Sequence, residues 1–174
     1  MVHLNIIHYN LNIGSNFLYN FNFNKNFDKF LEELFNNLVY VDLILFNNAF
    51  DLNIISKLTQ FLEKNNWHVS KMGNNSIINN GIIIASKWSI ISRLEEYYTN
   101  CDIYDCLSSK GPLYLRIKHP LFIFNIIGNS FQDGNNVIND IRKLQINELN
   151  NWINKKVRKC VKKCELFQIG RAHV

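Results

Sequence analysis

The order in which short apolar runs and helical repeats succeed one another constrains this chain most. Leu4 to Tyr9 is an apolar run ending at Asn10, the pattern of a buried strand. Gly14 to Asn26 is rich in Asn and Phe without a helical period and reads as a loop. Phe27, Phe30, Leu31, Leu34, Phe35 and Leu38 then recur at spacings of three and four, as on one face of an amphipathic helix. Val39 to Phe46 predicts a second strand, and Ile54, Ile55, Leu58, Phe61 and Leu62 a second helix. Trp67 to Val69 follows as a strand, and Gly73 to Asn80 as a turn. Further strands are predicted over Gly81 to Ser86 and Ser89 to Tyr98, separated at Lys87-Trp88. Leu113 to Ile117 and Leu121 to Ile127 flank His119-Pro120 as a hairpin. Val137, Ile141, Leu144, Ile146, Leu149, Trp152 and Ile153 mark a long closing helix. Two strand–helix units, a block of neighbouring strands and a final helix predict an α/β layered sandwich with flanking helices. No internal repeat or inter-domain linker interrupts it.

At 174 residues with 47% hydrophobic and 13% aromatic residues, the chain can bury one sizeable core and is not disordered by composition. Its bias is asparagine, 29 residues, which an A/T-rich coding sequence explains more simply than a prion-like role. An Asn at a site position can therefore reflect drift. The net charge of +5 is uneven, because Lys155, Lys156, Arg158, Lys159, Lys162 and Lys163 cluster near the C-terminal end. Such a run is a solvated helix face or, in the sharper reading, attracts phosphate on an anionic membrane surface. Without interleaved aromatic residues, nucleic acid is not favoured as a partner. The cysteines at 101, 106, 160 and 164 have no metal-ligand spacing and are expected to be reduced structural thiols. No signal peptide is visible, and no apolar run reaches the ~20 residues of a membrane span, so as written the chain reads as soluble and intracellular.

The last six residues, Ile169-Gly-Arg-Ala-His-Val174, match one reading frame of a common sequencing-adapter oligonucleotide. The expectation is therefore a domain over 1–168 that continues in the true protein, and a tail at 169–174 without function.

Three segments carry a family resemblance: Asn79-Asn-Gly-Ile-Ile-Ile-Ala-Ser-Lys-Trp-Ser-Ile90, Asp105-Cys-Leu-Ser-Ser-Lys-Gly111, and Ile127-Gly-Asn-Ser-Phe-Gln132. Their order resembles the sphingomyelinases of the endonuclease/exonuclease/phosphatase superfamily, metal-dependent hydrolases of phosphodiesters. The resemblance implies a partial layered α/β sandwich with mixed and antiparallel sheets. It implies sphingomyelin or another phospholipid headgroup as substrate, with ceramide and phosphocholine as products. It also implies Mg2+, held by acidic ligands, that neutralises the phosphate while a base activates water.

Mapped onto this chain, the family's metal-proximal Asn falls at Asn10, and its principal metal ligand, a Glu, falls at Asn48. A unit charge pair 4 Å apart is worth about 4 kcal/mol at an effective dielectric near 20, and a divalent ion roughly doubles it, so a neutral Asn loses most of the attraction. Asp51 is close in sequence, but its expected role is a surface or helix-capping one. Lys110 is the candidate contact to phosphate, with Gly111 giving backbone freedom beside it. Where the family reads Gly-Thr-His-Leu-Gln, this chain has Gly128-Asn-Ser-Phe-Gln132, so Asn129 and Ser130 occupy catalytic positions and Ser130 replaces a His. A serine hydroxyl offers neither positive charge nor useful basicity near neutral pH. Arg142-Lys-Leu-Gln145 matches the family's Arg-x-x-Gln helix, whereas its later Gly-Asp-x-Asn and Ser-Asp-His motifs do not occur. The sequence thus predicts a degenerate relative, inactive as given, doubtful in metal binding. The alternatives are a pseudoenzyme that binds a membrane or protein partner and a nuclease-type phosphodiesterase. His3, His8, His68 and His119 are expected to be structural.

Overall fold

The computed structural model describes residues 3–13, 23–73, 81–101, 106, 109–131, 138–160 and 165–170. In chain order the elements are β1 (Ile6–Ile13), α1 (Phe23–Asn37), β2 (Leu43–Ala49), α2 (Leu52–Lys64), β3 (His68–Lys71) and β4 (Ile83–Ser86). They continue with β5 (Ser89–Glu95), β6 (Pro112–Lys118), β7 (Ile123–Asn129), α3 (Ile138–Trp152), a π turn (Ile153–Val157), α4 (Arg158–Cys160) and β8 (Glu165–Gly170).

Two four-stranded sheets result, ordered β1-β2-β4-β3 and β5-β6-β7-β8. The β1–β2 and β7–β8 pairs are parallel and the others antiparallel, giving the mixed sheets that the resemblance implies. Alternation along β2 explains the layering. Leu43 and Leu45, with Ile84 of β4, face the second sheet and pack with its Leu113, Leu115, Ile117, Phe124 and Ile126. Ile44 and Phe46 face the other way, into a core with Leu34, Leu38, Ile54, Ile55, Leu58 and Leu62 of the helical side. On the far side Tyr114 and Ile127 meet Leu149, Trp152 and Val157. A strand buried on both faces has no polar alternation, which is why β2 reads as a continuous apolar run. The sheets approach closely at Gly128, where a Cβ would come within 3.0 Å of Leu45 and Ile84 side chains.

Several boundaries differ from the sequence reading. Helix α1 begins at Phe23, inside the predicted loop, whose residues 14–22 lie outside the described ones. The second strand starts at Leu43, not Val39, because Leu38–Tyr40 forms a 3-10 turn with Val39 and Tyr40 76% and 73% exposed. The fifth strand ends at Glu95 as a regular element, although the Tyr98 N–H still donates to the Lys110 carbonyl at 2.9 Å. His3 precedes β1. Most of the predicted turn, residues 74–80, lies outside the described residues. Strand β8 was not foreseen; it takes in Ile169 and Gly170 of the suspected tail, while 171–174 are not described.

The expectation of reduced thiols is overturned at two positions: Cys101 and Cys106 form a disulfide. Nothing in their spacing signals it, and the bond is typical of oxidising compartments rather than the reducing interior of a cell. Among the described residues no helix is long and apolar enough to cross a membrane.

Candidate active site

Asn10 and Asn48 come together at the C-terminal ends of the parallel strands β1 and β2. Asn10 pairs in register with Asn47, and the ladder then shifts before Ile13, so the strands bulge at this point. Asn48 follows in a left-handed conformation at φ 56°, which its short amide side chain tolerates better than most residues do. From there its Nδ2 donates to Asn10 Oδ1 at 2.8 Å. Asn47 points inward and is 2% exposed, its Oδ1 without a hydrogen-bond partner among the described residues. Asp51 caps α2, accepting from the backbone N–H groups of Asn53 and Ile54 at 2.8 and 3.1 Å. It plays the helix-capping role expected of it.

This donor set does not fit a magnesium ion. Mg2+ takes near-octahedral oxygen coordination anchored by carboxylates. Here the Asn10 oxygen already receives an amide N–H, and Asn48 presents a donor to it. Among the described residues no three His, Cys, Asp or Glu side chains converge to hold a metal.

The second group of residues lies where β7 ends and β6 begins. Gly111 packs so tightly that a Cβ there would run into the backbone of Glu96. Its carbonyl accepts from the Ser130 N–H at 3.3 Å. Lys110, only 9% exposed, reaches the Phe131 carbonyl with Nζ at 3.4 Å. Asn129 is fully buried; its Oδ1 accepts from the Tyr98 hydroxyl at 2.6 Å, and its Nδ2 has no partner among the described residues. Tyr98 also stacks on Phe131, ring centroids 5.7 Å apart. Burial drives its phenol pKa well above the ordinary value, partly opposed by the bond to Asn129 and reinforced by the charge of Glu148, so it is a neutral donor.

Helix α3 steadies this group. Glu148 accepts from the Thr99 N–H at 2.9 Å, the Thr99 hydroxyl at 3.0 Å, the Asn100 N–H at 3.0 Å and the Asn100 side-chain amide. Burial pushes its carboxyl up, but these donors together hold it below the ordinary value. Gln145, fully buried, donates to the Asn100 carbonyl at 2.8 Å. The segment so held enters the Cys101–Cys106 disulfide and continues to Lys110. The sequence signalled Gln145 through Arg-x-x-Gln, but Glu148 and Tyr98 carry no motif and were missed.

Both groups sit at the same end of the sandwich. The Trp88 ring, just beyond the Ser86–Leu43 pair at the start of β2, meets Phe124 near the start of β7 at 5.9 Å. Farther along, Gly128 lies against Leu45 and Ile82. The two strands therefore run in the same sense, and Asn48 and Ser130 follow at the end both reach. Of the histidines, His3, His8 and His68 are exposed, and His119 packs on Trp88 and Phe122 while accepting from the Leu121 N–H.

No family model matches the chain. Over 83 residues it is 34% identical to sphingomyelinase C 1 of Leptospira interrogans, a stretch covering 45% of this chain and 14% of that protein. Its fold matches a β-hairpin deletion mutant of the Staphylococcus aureus beta toxin with a TM-score of 0.82 at 20% identity, covering 97% of this chain and 66% of that one. A variant of the same toxin with bound magnesium ions gives 0.80 at 21% identity, covering 95% and 63%. Sphingomyelinase C from Streptomyces griseocarneus gives 0.76 at 16% identity, covering 98% and 64%. The chain thus spans less than two thirds of the length of these relatives. It therefore shares the fold of these proteins, and over that shorter stretch it resembles a sphingomyelinase C in sequence.

Proposed function

We propose that this chain descends from a sphingomyelin phosphodiesterase and, as it stands, does not hydrolyse sphingomyelin. The observation that carries this reading is the Asn48–Asn10 hydrogen bond, a neutral amide pair where the family resemblance expects a carboxylate beside an Asn. Without an anion at that point, a divalent ion has no anchor to repay the cost of shedding its water. Ser130 in place of the family His weakens the phosphate side as well, because a hydroxyl cannot supply positive charge.

What persists is a set of donors suited to holding a phosphodiester headgroup: the Lys110 ammonium, the Asn129 amide and the Ser130 hydroxyl. Holding a phosphate without activating water is the behaviour of a pseudoenzyme that docks on lipid headgroups. The test is incubation of the purified chain with sphingomyelin and Mg2+, following release of phosphocholine. The expected result is no product above a no-protein blank. Turnover that rises with protein concentration overturns the proposal.

A further inference from the structure

We infer that the turn following α3 is a docking surface for anionic lipid, and that it borders the candidate site. Lys155, Lys156, Arg158 and Lys159 are all exposed, four cations within five residues. No acidic residue occurs between Leu149 and Cys164. Lys156 pairs with Glu96 at 2.5 Å; Lys155, Arg158 and Lys159 have no carboxylate partner among the described residues. A helix C-terminus accommodates one or two cations against its dipole, an effect confined to the last turn, and does not account for four.

The π turn over Ile153–Val157 explains how so many charges stay outside. At about 3.6 residues per turn, positions five apart point to different sides of an α-helix. The wider π turn brings such positions together. Trp152 and Val157, five apart, are both buried in the core beneath α3. These two anchors fix the turn to the sheet, and the intervening and following cations face solvent.

The surface adjoins the site through Glu96. Lys156 grips its carboxylate, and its backbone is the one that leaves no room for a side chain at Gly111, next to Lys110. An anionic surface meeting this turn is therefore presented beside Lys110. Lipid is favoured over nucleic acid because the run has no aromatic residue on which bases could stack. This inference does not rest on the hydrolytic history of the fold.

The test uses the full chain and vesicles of phosphatidylcholine, with or without phosphatidylserine, in co-sedimentation. Binding is expected only to the serine-containing vesicles. It should vanish as salt rises from about 0.01 M to about 1 M, where the Debye length falls from about 30 Å to about 3 Å. Each cation near such a surface contributes about fivefold in affinity, so K155Q/R158Q/K159Q should bind roughly a hundredfold more weakly with an unchanged melt. K155R/K159R, which keeps the charge, should bind as the native chain does. Equal binding to both vesicle types, or a triple variant that binds like the native chain, overturns the inference. So does tighter binding to a single-stranded oligonucleotide than to the anionic vesicles. Because no hydrolysis is measured, the result is separable from the sphingomyelin assay.

Discussion

The two groups of residues in the candidate site differ in what they present. At the ends of β1 and β2, Asn48 donates one hydrogen bond to Asn10, and both side chains are neutral amides. At the end of β7, Asn129 keeps a buried amide donor without a partner among the described residues, beside a largely buried Lys110. Buried polar groups are normally paired, so this lone amide donor is the polar feature that sets the β7 group apart from the Asn pair. The comparison teaches that the two groups can change independently, because each is supported separately. The Asn pair depends on a strand bulge and a left-handed residue, whereas the β7 group depends on Gly111, Tyr98 and the α3 clamp.

Disrupting that support should break the comparison most severely. Gly111→Ala places a Cβ against the Glu96 backbone, which cannot move as a side-chain tip can. It should cost about 3 kcal/mol or more, seen as a large drop in the denaturant midpoint. Tyr98→Phe removes the hydroxyl that satisfies Asn129 Oδ1, leaving a buried acceptor unpaired. The expected loss is about 1–3 kcal/mol in the same measurement. A loss that small in Gly111→Ala, or none in Tyr98→Phe, would mean the β7 group is less rigid than its contacts imply.

Asn48→Glu sharpens the other half. The longer side chain in a left-handed conformation should cost about 1 kcal/mol without metal. It should also let added Mg2+ stabilise the fold, by about 1.4 kcal/mol at a tenfold excess over the dissociation constant, seen as a raised melting temperature. The native chain should not respond.

The smallest effect concerns the clamp. Glu148 has a depressed folded-state pKa, so its contribution is complete above its unfolded value near 4.5 and is lost as pH falls through the lower folded value. It is partly exposed, and solvent screening limits the effect to about 1 kcal/mol. Glu148→Gln should therefore lower stability at neutral pH and match the native chain in strong acid. A constant difference across pH would contradict the role given to its charge.

Much of this architecture was legible because burial on two faces and helical periodicity leave distinct marks. The run Leu43 to Phe46 announced an interior strand, and Leu34, Leu38, Leu58 and Leu62 announced the helices that cover it. The start of β2 was misplaced because Val39 and Tyr40 are apolar yet exposed, and composition does not report exposure. Asn10, Asn48, Lys110, Asn129 and Ser130 could be named from motif order alone. The clamp could not: Glu148, Thr99 and Asn100 meet across 48 or 49 residues of chain through one carboxylate. The Cys101–Cys106 bond likewise depends on a loop geometry that five-residue spacing does not specify.

The central claim is that the β1–β2 end holds hydrogen-bonded neutral amides where the family resemblance expects an ion-holding carboxylate. Calorimetric titration of Mg2+ into the native chain tests it most directly. The account predicts only the heat of dilution, with no saturable component. A stoichiometric binding isotherm that disappears in Asn48→Ala would contradict it.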